Sequence, residues 1–425
     1  MIDNLISLVR DGFAKIPEHR SDNLSYPLVD LLSTGFAIFS LKDPSLSLFR
    51  EQYPMREENL RRIYGIEDLP SDTALREGLD GVIPAKLQQQ FSAPLEVLRS
   101  AGVLQQRRIL DHFVAVSVDG TGHYCSGNKS CPQCMVKNHK SGKTTYYHQL
   151  LGAVAVHPEQ STVFPVACEA IVRQDGSAKN DCELNASKRI IPQVRQMLSQ
   201  ENILMIFDAL YANGPHIQCL SEHRMSYIIG IKGDNYIWVQ VERLRKNDGL
   251  QQLSWESEDR ICTVNFANGL ILNGQYRETL TNFFEYTEVD QQSGEQLFYS
   301  SWITDIEITS ENALELVKAA RSRWKIENET FNTLKNQGYH LEHNYGHGKQ
   351  YLATNFAILT FLAFLVDQMA QHLDILFQQA RATCKTFKAF WEKIRNVFYL
   401  LPAMSMNAIY RFIIAGKQVS MPALE

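Results

Sequence analysis

Two aspartates close apolar, β-branched runs. Residues 113–119 (FVAVSVD) end on Asp119, ahead of Gly120, Thr121 and Gly122, and residues 203–208 (ILMIFD) end on Asp208. Both runs predict buried strands, and in α/β sheets sites form at strand ends. If the two strands are neighbours, both side chains reach one sheet edge. With a third carboxylate from a helix they can hold two divalent cations about 4 Å apart, one activating water or a 3′-hydroxyl and the other stabilising the leaving oxygen. Hard oxygen donors suit Mg²⁺. Either aspartate alone is better explained as a turn former or a helix cap, so the third carboxylate decides.

Residues 313–336 supply it. Leu314, Val317, Trp324, Phe331 and Leu334 predict a long helix, on which Arg323 and Glu327 share a face four residues apart. Lys335 follows Glu327 by eight residues. Directly after Asp119, a loop at residues 120–144 carries Cys125, Cys131, Cys134 and His139, the ligand types of a tetrahedral zinc site, with His123 and His148 as alternative fourth ligands. Lys129, Lys137, Lys140 and Lys143 make the same loop basic. Two further clusters carry histidines or acids. His340, His343 and His347 lie in a glycine-bearing loop, better read as polar DNA contacts or surface than as a second metal site. Asp181 and Glu183 read as acidic capping of a helix start.

These residues need a scaffold. Residues 1–108 read as a helical N-terminal region, with Leu5, Ile6, Val9, Phe13 and Ile16 at helical spacing. Residues 109–232 predict three strands, then helix, strand, helix and strand, the first part of a ribonuclease-H-like mixed α/β domain. Residues 233–308 read as a β-rich insertion, beginning with a strand at 236–241. Residues 309–350 contain the helix that completes the core, and residues 351–425 form a helical C-terminal region. The apolar stretch 352–366 contains Thr354, Asn355 and Thr360 and is too short for a comfortable membrane span, so it predicts a buried helix.

Composition narrows the class. The chain has 425 residues, 44% of them hydrophobic and 21% charged, which is the balance of a globular protein and excludes a disordered one. A net charge of −5 excludes a protein that coats nucleic acid by bulk charge, but it leaves room for local basic regions: the lysine loop, the 323–335 helix and a C-terminal segment, 381–395. No export signal is read in the first residues, so the eight cysteines are expected as reduced thiols in the cytoplasm.

Arg323, Trp324, Ile326 and Glu327, followed by Phe331, Leu334 and Lys335, resemble the third-acid segment of DDE transposases of the IS4-like superfamily. Asp119 and Asp208 resemble the first and second acids, and spacings of 89 and 119 residues accommodate the β-rich insertion of that group. Two positions depart from the pattern: Ala320 stands where a tyrosine is usual, and Lys335 follows Glu327 by eight residues where seven is usual, which keeps Glu329 open as an alternative third acid. The resemblance implies a cut-and-paste transposase that cleaves DNA at terminal inverted repeats and joins the 3′-hydroxyl to target DNA. It implies Asp119, Asp208 and Glu327 as ligands of Mg²⁺ or Mn²⁺, Arg323 and Lys335 as phosphate contacts, and a homo-oligomer on DNA without membrane contact. Structural Zn²⁺ in the cysteine loop is a further expectation. The rival readings are a DNA-binding protein that has lost catalysis and a ribonuclease-H-like nuclease without strand transfer.

Overall fold

The computed structural model describes residues 1–21, 24–176, 179–233 and 236–416, without the side chains of 179–181. They form two compact units: residues 1–101, 121–150 and from 329 on in the first, residues 102–120 and 151–328 in the second. Most of the N-terminal region read as 1–108, residues 1–101, thus shares one unit with the C-terminal region read as 351–425. The reason is the Leu352–Leu373 helix, whose sequence is apolar on every face and must be enclosed. It is long and apolar enough to cross a membrane, yet its apolar window is wholly buried inside the protein. Leu31, Leu32, Phe36 and Phe39 of the Leu28–Ser40 helix are buried in this same unit, with Phe39 edge-on to Phe356 at 5.8 Å. Two of its buried polar side chains are held by partners: Asn355 Nδ2 donates to the carbonyls of Leu79 and Val82 at 2.8 Å, and Asp367 pairs with buried Lys42 and accepts from the Tyr339 hydroxyl at 2.7 Å.

Ten strands form one mixed sheet: β1 (Phe113–Ser126), β2 (Met135–Asn138), β3 (Thr144–His157), β4 (Gln160–Ile171), β5 (Asn202–Phe207), β6 (Ser226–Gly230), β7 (Gln251–Ser257), β8 (Arg260–Ile271), β9 (Leu280–Asp290) and β10 (Gln296–Thr304). The order is β2-β3-β1-β5-β6-β10-β9-β8-β7, with β4 also paired to β3. Within it, β4-β3-β1-β5-β6 is the ribonuclease-H-like core. Its β5 runs parallel to both β1 and β6, and crossover helices Lys179–Met197 and Gly214–Glu222 precede and follow β5. Ile190, Ile191, Val194 and Leu198, the apolar face expected from sequence, are buried.

Two expected boundaries move. β1 continues through Gly120 and Gly122 to Ser126, because Thr121, His123 and Tyr124 are buried and hold the extended backbone; Asp119 is therefore within the strand, not at its end. Residues 236–241 are not a strand but the start of a helix, Tyr236–Lys246. Ile237 and Val241, four apart, bury one face, and Arg243, Arg245 and Lys246 suit its C-terminal dipole. The remaining insertion strands pair antiparallel, β6 to β10, β10 to β9, β9 to β8 and β8 to β7, so they extend the core sheet.

Candidate active site and a cysteine–histidine cluster

The β1–β5 register brings the two aspartates together. The paired residues run from Phe113↔Asn202 to Ser117↔Ile206, every pair 89 residues apart, and Asp119 and Asp208 continue the same offset two residues beyond. Asp119 and Ser117 lie two apart on β1 and so face the same way. Ser117 Oγ donates to the Arg323 carbonyl at 3.1 Å. Asp119 Oδ2 accepts from Arg323 Nη1 at 2.8 Å, and Arg323 Nη2 donates to Glu327 Oε1 at 3.0 Å. One guanidinium thus joins the first aspartate to the glutamate.

The segment carrying Arg323 and Glu327 is not a regular α-helix. Ala313–Arg321 tightens into a 3₁₀ turn at Ser322–Trp324 and widens into a π turn at Ile326–Phe331, before Asn332–Asn336 resumes the α-helix. Such a widening frees backbone carbonyls and is frequent at functional sites. Here the Ser117 hydroxyl takes the Arg323 carbonyl, and Lys325 Nζ donates to the Gln160 carbonyl at 2.7 Å.

Asp208 Oδ1 accepts from Leu210 N at 2.9 Å and caps the short Ala209–Tyr211 turn, so it does the structural job a strand-end aspartate often does, at a place where the register also sets it beside Asp119. A further carboxylate joins the group. The Tyr211 hydroxyl donates to Glu183 Oε1 at 3.1 Å, and a Cβ at Gly120 would lie 3.4 Å from the Glu183 carboxylate. Glu183 was expected only as a helix-start acid. It sits inside the Lys179–Met197 helix, and its companion Asp181 lies outside the described side chains.

The electrostatics report crowding of negative charge. Burial raises the Asp119 carboxyl to about 6, and neighbouring Glu327 adds to this, against the pull of Arg323 and the Gly120 N–H. Burial works against the Arg323 charge, yet Asp119 and Glu327 hold it above its usual value. Burial also raises the Tyr211 hydroxyl, and Glu183, Asp208 and Asp119 all add to the rise. A group of half-buried oxygen donors with exposed Glu327 at its edge, carrying more negative charge than one arginine balances, is a donor set that a hard divalent cation relieves.

Lys335 belongs to the other unit and pairs with Glu342 at 2.8 Å. That unit also contains a cluster of Cys131, Cys134, His148 and His347, whose ligand atoms all lie within 4.8 Å of one another. Of the expected zinc ligands it gathers Cys131 and Cys134, but not Cys125 or His139. Cys125 is exposed on the end of β1, and His139 sits in the exposed β2–β3 turn, its Nε2 2.8 Å from Thr145 Oγ1. His148, an expected alternative, is in the cluster. His347 comes from the histidine loop that was read as DNA contact or surface.

Residues 113–365 match the family described as Transposase DDE domain. The match spans more than half of the chain and contains Asp119, Asp208, Glu327 and the cysteine–histidine cluster; the chain belongs to that family. Among solved structures, a piggyBac transposase synaptic complex with hairpin DNA, determined by cryo-EM, is similar with a TM-score of 0.40 and 10% identity, over 99% of this chain and 80% of that one. No curated protein matches the chain.

Proposed function

We propose that this transposase-family chain cleaves DNA at transposon ends and joins the resulting 3′-hydroxyl to target DNA, with Asp119, Asp208 and Glu327 holding Mg²⁺ or Mn²⁺. The observation that carries the reading is the Asp119–Arg323–Glu327 bridge beside a register that aligns Asp119 with Asp208. Such cations, when bound, activate the attacking oxygen and stabilise charge on the leaving one. The chain's own contribution is positioning. Arg323 fixes the Asp119 and Glu327 carboxylates through a planar fork that no single ammonium can reproduce, and its charge faces an anionic substrate as well as the acids. Glu183 and Tyr211 add a hydrogen-bonded edge to the same carboxylate group. Lys335 is a second phosphate contact in this reading: its ion pair with largely exposed Glu342 is of the weak surface kind that a phosphate can displace. Lys129, Lys137, Lys140 and Lys143, all exposed, provide a sequence-independent hold on the DNA backbone.

The test is incubation of the purified chain with linear DNA carrying the sequences that flank its own gene, with Mg²⁺, with Mn²⁺ and with chelator, followed by mapping of the products. Cation-dependent nicks at the repeat ends and joined target molecules are expected. Cleavage without joining would leave a nuclease, and binding without cleavage would leave a chain that has lost catalysis.

A further inference from the structure

Independently of the carboxylate site, the geometry points to a closed, structural zinc site formed by Cys131, Cys134, His148 and His347. The contacts measured among its ligand atoms are 3.8 Å for Cys131 Sγ–Cys134 Sγ, 3.5 Å from each sulfur to His148 Nε2, and 3.7 Å for Cys134 Sγ–His347 Nε2. Zinc bonds of about 2.3 Å to sulfur and about 2.0–2.1 Å to nitrogen, arranged tetrahedrally, give edges of about 3.8 Å between sulfurs and about 3.5 Å between sulfur and nitrogen. Four of the six edges of that tetrahedron are thus already close to their ideal lengths, and all four ligand atoms lie within 4.8 Å of one another.

The backbone explains why. Cys134 directly precedes β2 and His148 directly follows the β3 residue paired with Met135, since Met135↔Tyr147 is the last antiparallel pair; the two ligands are thus the next facing positions of one hairpin. The Cys131-Pro-Gln-Cys134 turn closes with Cys134 N donating to the Cys131 carbonyl at 3.1 Å. Cys131 N points at Cys134 Sγ at 3.3 Å, a contact that favours a thiolate. His347 arrives from far along the chain and is fixed just after its own position: Asp80 accepts the backbone N–H groups of Lys349, Gln350, Tyr351 and Leu352 at 2.8–2.9 Å. Cys134 and His148 are buried, Cys131 and His347 half-buried. Four protein ligands leave no position for water or substrate, which marks a structural rather than a catalytic ion. Two soft thiolates with two imidazoles select zinc over magnesium or manganese. The ion would tie the lysine-bearing hairpin to the segment that leads into the Leu352–Leu373 helix.

The test uses the full chain. Purified under reducing conditions, it should carry about one zinc per molecule. Refilled with Co²⁺ after chelation, it should show the visible bands of a tetrahedral ion with thiolate charge transfer. Cys131→Ser combined with Cys134→Ser should abolish both signals. His347→Ala should weaken zinc by more than the roughly 10–100-fold that loss of an outer partner costs, and His347→Cys should restore it. Cys125→Ser and His139→Ala should leave metal content unchanged. The wild-type spectrum needs no variant to fold. Absence of zinc and of any cobalt spectrum would overturn the site, as would a Cys131–Cys134 disulfide in the freshly purified chain, metal retained after loss of both cysteines, or metal lost with Cys125 or His139.

Discussion

Asp119 on β1 and Asp208 directly after β5 share the ladder's offset, two residues past Ser117↔Ile206, the last pair of the parallel β1–β5 ladder. Neighbouring strands lie about 4.8 Å apart, so two carboxylates at one register position form a natural cation site. Asp119→Asn and Asp208→Asn are therefore each expected to lower cation-dependent cleavage by at least about 10²–10³-fold while DNA affinity stays within a few-fold. Cleavage assays and binding isotherms on the same preparations check this. Near-normal cleavage by either variant would remove that residue from the site.

Arg323 forks between Asp119 and Glu327, which favours Glu327 over Glu329 as the third acid of the proposed site. Glu327→Gln is expected to abolish cleavage and Glu329→Gln to preserve it. Arg323→Lys keeps the charge but cannot hold two carboxylates in one plane, so a loss of roughly 10–100-fold is expected from misplacement alone. Full activity of Glu327→Gln together with an inactive Glu329→Gln would transfer the role to Glu329.

Asp119 also sets a pH dependence. Its folded value of about 6 lies above the usual aspartate value, for burial first and Glu327 second. Between roughly pH 4 and 6 the folded chain therefore keeps a proton that the unfolded chain has released. The stabilisation from that proton is complete at pH 4 and lost as pH rises through about 6, after which the ionised carboxylate costs the fold on the order of 2–3 kcal/mol. Without divalent cations, Asp119→Asn should melt above the wild type at pH 7.5 and close to it at pH 4.5. Mg²⁺ or Mn²⁺ should raise the wild-type melting temperature at pH 7.5 and leave the variant unmoved. A variant less stable than the wild type at pH 7.5 without cations would contradict the assignment.

The two strands that lead to Asp119 and Asp208 were legible because a buried strand advertises itself by its own residues. Val114–Val118 and Ile203–Phe207 are locally apolar, and the 89-residue spacing survives folding as the strand register. What was not legible depends on distant partners. His347 lies 213 residues from Cys134 and belongs to the cluster only because the fold returns the chain there. Glu183 acquires its role from Tyr211 and from the gap at Gly120, neither of which is its neighbour in sequence. Residues 236–241 alternate like a strand, but Ile237 and Val241 also satisfy helical spacing, and tertiary burial selects the helix. Even Arg323 and Glu327, placed on one face by a regular helix, meet across a segment whose winding changes from 3₁₀ to π.

Asp80 ends the Asp72–Asp80 helix and caps the start of the Leu352–Leu373 helix, accepting four successive backbone N–H groups from Lys349 to Leu352. Tyr351 and Leu352 stand at the helix start, where N–H groups lack intrahelical partners, and Lys349 and Gln350 belong to the turn before it. Partial burial opposes the carboxylate charge, and the four N–H groups outweigh it, holding the group below its usual value. The cap's contribution is thus present at neutral pH and lost as pH falls below the usual aspartate range. Asp80→Ala is expected to cost about 1–3 kcal/mol at pH 7, with Asp80→Asn between the two, and the gap between Asp80→Ala and wild type should narrow on acidification. Gly348 makes the approach feasible: its φ is +70°, and a Cβ there would collide with the Asp80 carboxylate and Leu352. Gly348→Ala should therefore destabilise even though it adds one methyl group, by the combined strain of a left-handed backbone and a displaced cap. Melting curves of the three variants at pH 7 and pH 4 check the set, and an Asp80→Ala variant that melts like the wild type at pH 7 would show that the helix start is held by other contacts.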